Sequence, residues 1–428
     1  MTAPTEAPRQ IVIVGASLAG LSAAHALRDV GYGGRIILIG DEHESPYDRP
    51  PLSKQVLRGL YGADTSLPQR ADLDATFRLG VGALELDTLA HRIYLSDGTQ
   101  IVYDRLLIAT GTRARPWPNG AEAASSNVYT LRSHADAEHL ARGLAWKPRR
   151  VLIIGGGFIG CEIASCCRDL GLDVTLAVRG ALPLAHALGS VTAAFMRDVI
   201  RDCGVDLRLE TEVARFQADA DSRVVAAILR TGQRIEADCV VAALGALRNT
   251  EWLAGAGLEV SPKGVRVDAH CRVLSTTRAV VPDVFAAGDI AHWPSAIYGG
   301  RHLAVEHWGN AVAQAETAAR NMAAGEAGLV SYDHLPDFWS QQFGLNIKLV
   351  GLPAGADQFA VVQGSLRDRR FIGVYGAQGR TVAAVSVDSA RWLPAYRAAV
   401  TEGAPFPPIV GALDQADIRP RPLAQTVP

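Results

Sequence analysis

A strand–turn–helix–strand pattern occurs twice in this chain, and it restricts the possible folds more than any other feature. The first copy is "RQIVIVGASLAGLSAAHALRDVGYGGRIILIGDE" and the second is "RRVLIIGGGFIGCEIASCCRDLGLDVTLAVRG". Each reads as an apolar strand, a turn of small residues, a helix, a glycine break and a second strand. Because such a βαβ unit binds a dinucleotide, two copies predict two bound dinucleotides.

The glycines of both turns fit this prediction. Gly15 and Gly155 allow the tight turn from strand to helix. Gly20 and Gly160 allow the helix to pack closely against the strand. A single glycine fingerprint is weak evidence, but this chain has two, each in the predicted strand and helix context. Close packing without a ligand is the less favoured alternative.

The middle position of the turn differs between the copies. Ser17 occupies it in the first copy and slightly crowds the approach of a ligand, whereas Gly157 keeps it open in the second. In both copies the N-terminus of the helix offers free N–H groups to a negatively charged pyrophosphate. Phe158 and Ile159 begin the second helix and are therefore predicted to belong to the coenzyme site.

The residue that contacts the ribose is expected about 20 residues after the last glycine of such a unit. In the first copy this residue is Asp41 or Glu42, whose carboxylate can accept hydrogen bonds from adenosine ribose hydroxyls. In the second copy it is Val178, followed by Arg179. A missing carboxylate and a neighbouring guanidinium favour NADPH at least as much as NADH. The alternative is that Arg179 points into water and the second unit does not discriminate between the two coenzymes.

Composition places the chain among globular proteins. It has 428 residues, of which 48% are hydrophobic and 20% charged, and its formal net charge is −2. This balance gives no general argument for nucleic acid or an anionic membrane as a partner. No apolar run approaches the roughly 18 residues of a membrane span, and "MTAPTEAPRQ" lacks the features of a signal peptide. We therefore expect a cytoplasmic protein.

The six cysteines are too few for a disulfide scaffold in a chain of this length, so reduced thiols are expected. Cys161, Cys166 and Cys167 fall on the second predicted helix, where their spacing does not align a pair on one face. Packing is favoured over a redox or metal role. The histidines show no metal-ligand spacing, and no metal is predicted.

Two further segments end strands at positions suited to a ligand. "HRIYLSDGTQIVYDRLLIATGTRARP" predicts a hairpin that turns at its Asp-Gly pair, then a strand that ends near Thr110 and Gly111. "VPDVFAAGDIAHW" predicts a strand that ends at Gly288 and Asp289. This second end can present a carboxylate and a helix N-terminus to the ribityl chain of a flavin.

The ordered set GASLAG, ATG, GGGFIG and AAGDIA resembles the flavoprotein disulfide reductase superfamily, from about Ile11 to Ala324. The resemblance implies FAD in the first domain and a nicotinamide nucleotide in a second domain inserted into it. The disulfide-reducing branches carry redox cysteines after the first βαβ unit, but this chain has no cysteine before Cys161. Instead, "PYDRPPLSK" resembles the ferredoxin and rubredoxin reductases of oxygenase systems.

In those reductases the lysine of this stretch lies by the flavin and pairs with a glutamate after the second glycine turn. The matching positions are Lys54 and Glu162. Prolines fix φ and remove backbone donors, so we expect the loop to hold Lys54 in place, where its charge can stabilise a reduced flavin. A solvated lysine is the alternative. "DFWSQQFGLNIKLVG" resembles the start of the family's C-terminal domain, and Trp339 matches its flavin-side aromatic, although an ordinary core tryptophan is the alternative.

The resemblance also carries the remaining cofactor contacts. The chain departs from the family pattern at Gln341, where aspartate is common, and at Arg248, where proline is common. The predicted contacts beyond the two glycine turns are Ala19, Asp41, Glu42, Arg49, Lys54, Ala83, Thr110, Gly111, Arg132, Glu162, Arg179, Gly245, Gly288, Asp289 and Trp308.

We therefore predict an α/β protein with two Rossmann-like dinucleotide-binding domains and a small α+β C-terminal domain. Residues 1–118 and 246–327 would bind FAD, 119–245 would bind NAD(P)H, and 328–428 would form an interface domain. The predicted function is electron transfer from NAD(P)H through FAD to an iron–sulfur ferredoxin that supplies an oxygenase, with no nucleic-acid or membrane partner. A disulfide or peroxide reductase and a flavoprotein of the apoptosis-inducing-factor kind are the alternatives.

Overall fold

The structure is a computed structural model that describes residues 8–59, 64–411 and 418–423. The outer ends of the predicted first and third domains, residues 1–7 and 424–428, lie outside the described residues. The chain divides into two compact units. The described part of the first unit is 8–48, 65–113 and 247–336, and that of the second is 49–59, 64, 114–246, 337–411 and 418–423. The boundaries of three separate domains stay a prediction.

The first unit is built on the predicted βαβ element, which consists of β1 (Gln10–Val14), α1 (Leu18–Asp29) and β2 (Arg35–Ile39). β1 pairs in parallel with β2 and with strand Arg105–Ile108. Both strands of the element are apolar and almost fully buried, as is usual in a parallel sheet covered on both faces. The order of this sheet is Arg272–Leu274, Val280–Ala286, Arg105–Ile108, β1, β2, Ala75–Arg78.

Smaller elements complete the first unit. Helix Trp308–Ala323 packs against α1 through a buried face of small residues, which lets the two helices approach closely. The predicted hairpin is formed by strands Arg92–Leu95 and Gln100–Val102. Strand Ala83–Asp87 pairs with the first of these and completes an antiparallel sheet. A second small sheet contains strands Val260–Ser261, Gly264–Arg266, Ala291–Ser295 and Arg301–Leu303. The 3-10 turns of this unit are Glu251–Leu253, Gly288–Ile290 and Glu326–Gly328.

The second unit repeats the element as β3 (Arg150–Ile154), α2 (Phe158–Asp169) and β4 (Asp173–Ala177). Its parallel sheet has the order Asp206–Arg208, β4, β3, Cys239–Ala242, Val128–Tyr129. An antiparallel sheet of Val213–Ala218, Val224–Leu229 and Arg234–Glu236 shares a core with it, in which Trp117 stacks on Phe216 at 4.4 Å. The helical segments are Pro50–Ser53, Gly120–Ala123, His134–Ala145 and Ala185–Asp202.

The C-terminal part of the second unit begins with β5 (Asp337–Gln342). Helix Leu393–Thr401 packs on its sheet, preceded by the 3-10 turn Ala390–Trp392. The order of this sheet is β5, Leu345–Gly351, Arg380–Val387, Arg370–Ala377, Gln358–Ser365, Arg421–Pro422. Two Rossmann-like sheets, of which the first has an antiparallel edge strand and the second is parallel, together with a C-terminal antiparallel sheet confirm the predicted fold class. The chain passes from the first unit to the second within the short strand Thr112–Ala114. It returns to the first unit within the short strand Ala246–Arg248.

Within the described ranges, every helix is too short or too polar to span a lipid bilayer.

Candidate functional site

The first glycine turn joins β1 to α1 and has no room for side chains. Gly15 has a φ of +122°, and a Cβ on it would lie 2.0 Å from the carbonyl oxygen of Ala109. A Cβ on Gly20 would lie 1.9 Å from the carbonyl oxygen of Gly15. The amide of Gly15 donates to the carbonyl of Ile39 at 2.7 Å, which closes the turn against β2. The N-terminus of α1 is thereby held at the carboxyl edge of the sheet, where a pyrophosphate binds in such folds.

The two acidic residues after β2 differ in accessibility. Glu42 is half-buried and accepts a hydrogen bond from the hydroxyl of Tyr47, whereas Asp41 is exposed. A Cβ on Gly82 would lie 3.8 Å from the Cβ of Asp41, so Ala83, next in sequence, belongs to the same edge. Asp41 is thus the more accessible of the two carboxylates predicted for the ribose.

Gly288 and Asp289 lie beside the first glycine turn. Gly288 has a φ of +80°, and a Cβ on it would lie 3.1 Å from the Cβ of Ala19. The hydroxyl of Thr112 donates to the Asp289 carboxylate at 3.3 Å. The structure therefore brings together Ala19, Gly288 and Asp289, which the sequence predicted to contact one cofactor from distant segments.

Thr110 and Gly111 follow strand Arg105–Ile108. The hydroxyl of Thr110 donates to the carbonyl of Asn249 at 2.9 Å, and the Asn249 side chain donates back to the carbonyl of Thr110 at 2.8 Å. Gly111 has a φ of +59°, and a Cβ on it would meet no atom within 4 Å. The reciprocal hydrogen bonds fix this turn at the end of its strand.

Two residues that the sequence analysis missed hold predicted site residues in the first unit. Gln314 is fully buried in helix Trp308–Ala323, and its Oε1 accepts a hydrogen bond from the amide of Gly288 at 2.9 Å. Asp48 accepts a hydrogen bond from the indole N–H of Trp308 at 2.9 Å. The available signal for Gln314 was an amide among the alanines of a helix. Nothing in the sequence connected Asp48 to Trp308.

The second glycine turn joins β3 to α2 and repeats this geometry. Gly155 has a φ of +116°, and a Cβ on it would lie 2.1 Å from the carbonyl oxygen of Ala243. A Cβ on Gly160 would lie 2.0 Å from the carbonyl oxygen of Gly155. At Gly157, by contrast, a Cβ would meet no atom within 4 Å. Phe158 and Ile159 begin the helix directly behind this open space, so its N-terminus fits an anionic pyrophosphate.

Val178 covers the second glycine turn from the end of β4. Its side chain is 5% exposed, and a Cβ on Gly156 would meet its methyl carbons at 2.7 and 2.8 Å. Arg179 is exposed. Glu210 lies at the same edge, because its amide donates to the carbonyl of Gly180 at 3.1 Å. The second ribose position therefore presents an apolar side chain, with Arg179 next to it in sequence.

Arg49, Arg132 and Gly245 occupy loops of the second unit. The guanidinium of Arg49 donates to the carbonyl of Arg132 at 2.9 Å, and the amide of Arg132 donates to the Asp136 carboxylate at 2.9 Å. The two arginines are thus held together. Gly245 is exposed with a φ of +87°, and its carbonyl accepts from the amide of Arg115 at 2.9 Å.

Lys54 and Glu162 form a buried ion pair. The 3-10 turn Pro50–Ser53 ends at Lys54, whose Nζ lies 2.7 Å from Glu162 Oε2. The lysine and glutamate side chains are 13% and 6% exposed. Lys54 Nζ also donates to the carbonyl of Pro50 at 3.1 Å. The proline turn therefore places the lysine backbone and also holds its ammonium group. The catalytic role of the pair stays a prediction.

Trp339 lies on β5 and is 43% exposed. Its neighbour Phe338 packs edge-to-face against Phe158 of α2, with ring centroids 4.5 Å apart. Because successive side chains of a strand point to opposite faces, the Trp339 ring points away from α2. It borders a pocket that Lys348, Leu393 and Arg397 also line.

Five of the six thiols are buried, and the sixth, Cys203, is partly exposed. All six cysteines are free, and burial raises the pKa of Cys166 to about 11 and that of Cys239 to about 12. A thiol with such a pKa is a poor nucleophile at neutral pH. No group of three or more histidine, cysteine, aspartate or glutamate side chains among the described residues is placed to hold a metal ion.

Residues 9–315 match the family described as pyridine nucleotide-disulphide oxidoreductase, and residues 337–420 match the one described as reductase C-terminal. Among curated proteins, the chain is similar to putidaredoxin reductase of Pseudomonas putida, with 36% identity over 88% of this chain and 87% of that protein. It is also 36% identical to the ferredoxin–NAD(+) reductase component of the anthranilate 1,2-dioxygenase system of Burkholderia cepacia, over 92% of this chain and 94% of that one.

Solved structures agree with the sequence relatives. The chain superposes on the covalent putidaredoxin reductase–putidaredoxin complex with a TM-score of 0.85 and 33% identity, covering 94% of both chains. Persulfide reductase from A. fulgidus, at 22% identity and a TM-score of 0.80, shares the fold alone.

Proposed function

Because this chain belongs to the pyridine nucleotide-disulphide oxidoreductase family, and within it to the ferredoxin reductases of oxygenase systems, we propose that it transfers electrons from a nicotinamide coenzyme through FAD to an iron–sulfur ferredoxin. The ferredoxin then supplies an oxygenase. The observation that best supports this function is the buried Lys54–Glu162 pair in a chain without cysteine before Cys161. A thiol or peroxide reductase needs a reactive thiol, and the cysteines of α2 are buried.

The residues of both glycine turns fit a dinucleotide. In the first unit, the first turn of α1 with Asp41 and Asp289 would hold FAD. In the second unit, Gly157 and Ile159 at the open N-terminus of α2 would hold the nicotinamide coenzyme. When bound, FAD supplies two-electron uptake from the coenzyme and one-electron release to the ferredoxin, a chemistry that amino-acid side chains do not offer.

We assign the Lys54–Glu162 pair to the hydride-transfer step. Glu162 is buried, Lys54 is 13% exposed, and both are hydrogen-bonded, so the cation is held in one position. A fixed charge in a site of low polarity stabilises developing negative charge more than a solvated one, because it needs no reorganisation. Following the family resemblance, we assign the exposed ring of Trp339 to the stacking of the nicotinamide.

As part of the proposal, NADPH is used at least as well as NADH. A carboxylate at position 178 would repel a 2′-phosphate, and Val178 removes that repulsion. Exposed Arg179 supplies a planar donor suited to phosphate. Glu210 lies on the neighbouring loop, and its negative charge is the one that would weaken this preference.

We also place the enzyme in the cytoplasm. Its six cysteines are free, as is usual for proteins of a reducing compartment. A pool of reduced nicotinamide coenzyme is available in the same compartment.

The test of the proposed function uses the FAD-loaded enzyme with candidate ferredoxins from the same source. Cytochrome c reduction should depend on the added ferredoxin and fall as salt is raised, since an acidic ferredoxin docks through charge. Fast turnover of disulfide or peroxide without ferredoxin would overturn the proposal in favour of a thiol reductase. Slow reduction of every acceptor with a long-lived charge-transfer complex would indicate the apoptosis-inducing-factor kind.

A further inference from the structure

The carboxylate of Glu162 is held on both oxygens. Oε2 accepts hydrogen bonds from Lys54 Nζ and from the hydroxyl of Ser53, and Oε1 accepts from the hydroxyl of Ser340 at 2.6 Å. Ser53 and Ser340 are 2% and 1% exposed. Because each oxygen has its own donor, the carboxylate cannot turn about its terminal bond without losing a hydrogen bond.

The Ser340 hydroxyl has a defined direction. Its oxygen accepts a hydrogen bond from Gln342 Nε2 at 3.0 Å. A serine hydroxyl has a single proton to donate, and the acceptor at 2.6 Å is Glu162. The buried Gln342, which is 2% exposed, therefore sets the orientation in which Ser340 donates to the carboxylate.

The packing of β5 against α2 places Ser340 next to Glu162. Phe338, two residues before it on the same face of the strand, packs on Phe158 of α2. Just after β5, the amide of Phe343 donates to the hydroxyl of Ser165 at 2.7 Å. Phe158, Glu162 and Ser165 follow a helical spacing that places them on one face of α2.

We propose that Ser340 is a positioning residue for hydride transfer, which acts by orienting Glu162 and, through it, Lys54. This inference rests on the role proposed above for the Lys54–Glu162 pair. Without the Ser340 hydroxyl, Glu162 Oε1 is left without its donor in a buried site, which favours rotation of the carboxylate and displacement of the lysine. Ser340 contributes no charge, so coenzyme affinity should change less than the rate.

The test is stopped-flow flavin reduction by saturating coenzyme in the FAD-loaded enzyme. For Ser340→Ala we expect a fall of about three- to tenfold in the limiting rate, with the coenzyme Kd within about twofold of wild type. Ser165→Ala is the matched control, because it removes another buried serine hydroxyl from the same contact without touching Glu162. Its rate should stay near that of the wild type. Ser340→Cys, a weaker donor of similar size, should give an intermediate rate and replaces the alanine variant if that variant does not fold.

A double-mutant cycle separates orientation from general packing. In a Glu162→Gln background, Ser340→Ala should have little further effect on the rate. An unchanged Ser340→Ala rate together with a slow Glu162→Gln enzyme overturns this inference alone. Equal slowing by Ser165→Ala, or by Ser340→Ala in both backgrounds, also overturns it, since packing then explains the loss. A normal rate in Glu162→Gln overturns both the inference and the proposed role of the ion pair.

Discussion

Lys54 Nζ lies 2.7 Å from Glu162 Oε2, and 108 residues of sequence separate the two partners. Both are largely removed from solvent, with 13% and 6% of their side chains exposed. A buried ion pair is weak evidence for stability, because desolvation offsets much of the attraction, yet removing one partner commonly costs about 3–5 kcal/mol. The pair is therefore better explained by function than by folding.

Replacing Lys54 tests that explanation. Lys54→Met should retain FAD but slow hydride transfer by about tenfold for each 1.4 kcal/mol of lost transition-state stabilisation. Stopped-flow bleaching of the flavin measures the rate directly. Lys263→Met, at an exposed lysine, is the control, and Lys54→Met combined with Glu162→Gln separates the lost cation from an unpaired carboxylate. A wild-type rate in Lys54→Met would contradict the assignment.

The coenzyme preference is tested at position 178. At about 5 Å and an effective dielectric near 20, the repulsion that Val178 removes is worth roughly 3 kcal/mol per unit charge, and less where solvent screens it. We expect kcat/KM for NADPH to equal or exceed that for NADH, and Val178→Glu to move the ratio toward NADH by about tenfold. Val178→Thr conserves the shape that packs on Gly156 and is the control. A preference for NADH above about tenfold in the wild type refutes the prediction.

Gln314 should be needed for FAD retention. Gln314→Met removes the acceptor of the Gly288 amide and leaves that buried donor without its partner, at a cost of about 1–3 kcal/mol. The fraction of enzyme purified with FAD, and its loss on dilution, should reveal a weaker complex. Thr317→Ala, on the same helix, removes a hydroxyl that bonds only within the helix and should behave as wild type. Equal FAD retention in both variants would show that Gln314 does not support the site.

An acidic ferredoxin is expected to dock partly on exposed arginines of the C-terminal sheet. Arg369 pairs with Asp202, which leaves the exposed Arg367 and Arg370 as the better candidates. Reversing both charges should raise the KM for ferredoxin and flatten its salt dependence, while ferricyanide reduction stays unchanged. Arg142→Glu, on an exposed helix surface, is the control. If ferredoxin turnover is untouched, this turn is merely solvated.

Lowering the pH should weaken the ion pair between Asp238 and Arg150, the first residue of β3. The Arg150 side chain, by hydrogen bonding, holds the pKa of the Asp238 carboxyl below its usual range. A lowered folded-state pKa stabilises the fold above the unfolded value of about 3.9, and this contribution is lost as the pH falls through the folded value. Asp238→Asn should thus cost about 1 kcal/mol or less at pH 7 and nothing in strong acid. Thermal unfolding across pH measures the difference, with exposed Glu316→Gln as the control; a gap that widened in acid would contradict this account.

The sequence by itself determined the two βαβ units and the residues of their glycine turns. These features are local, because a φ near +120° at Gly15 and Gly155 and the close approach of Gly20 and Gly160 depend on a few neighbouring residues. The same holds for the missing carboxylate at Val178, which needs only a count from the glycines. The pairing of Lys54 with Glu162 came from family resemblance and not from the local pattern.

Only the tertiary structure decided which neutral residues hold the site in place. Ser340 and Glu162 are 178 residues apart, and Asp48 and Trp308 are 260 apart. Such contacts depend on how a strand packs on a helix or how a loop returns to a helix end, which no periodicity of sequence encodes. A serine in the sequence does not indicate such a role, because hydroxyls are common on surfaces and a hydroxyl becomes important only when packing buries it against a carboxylate.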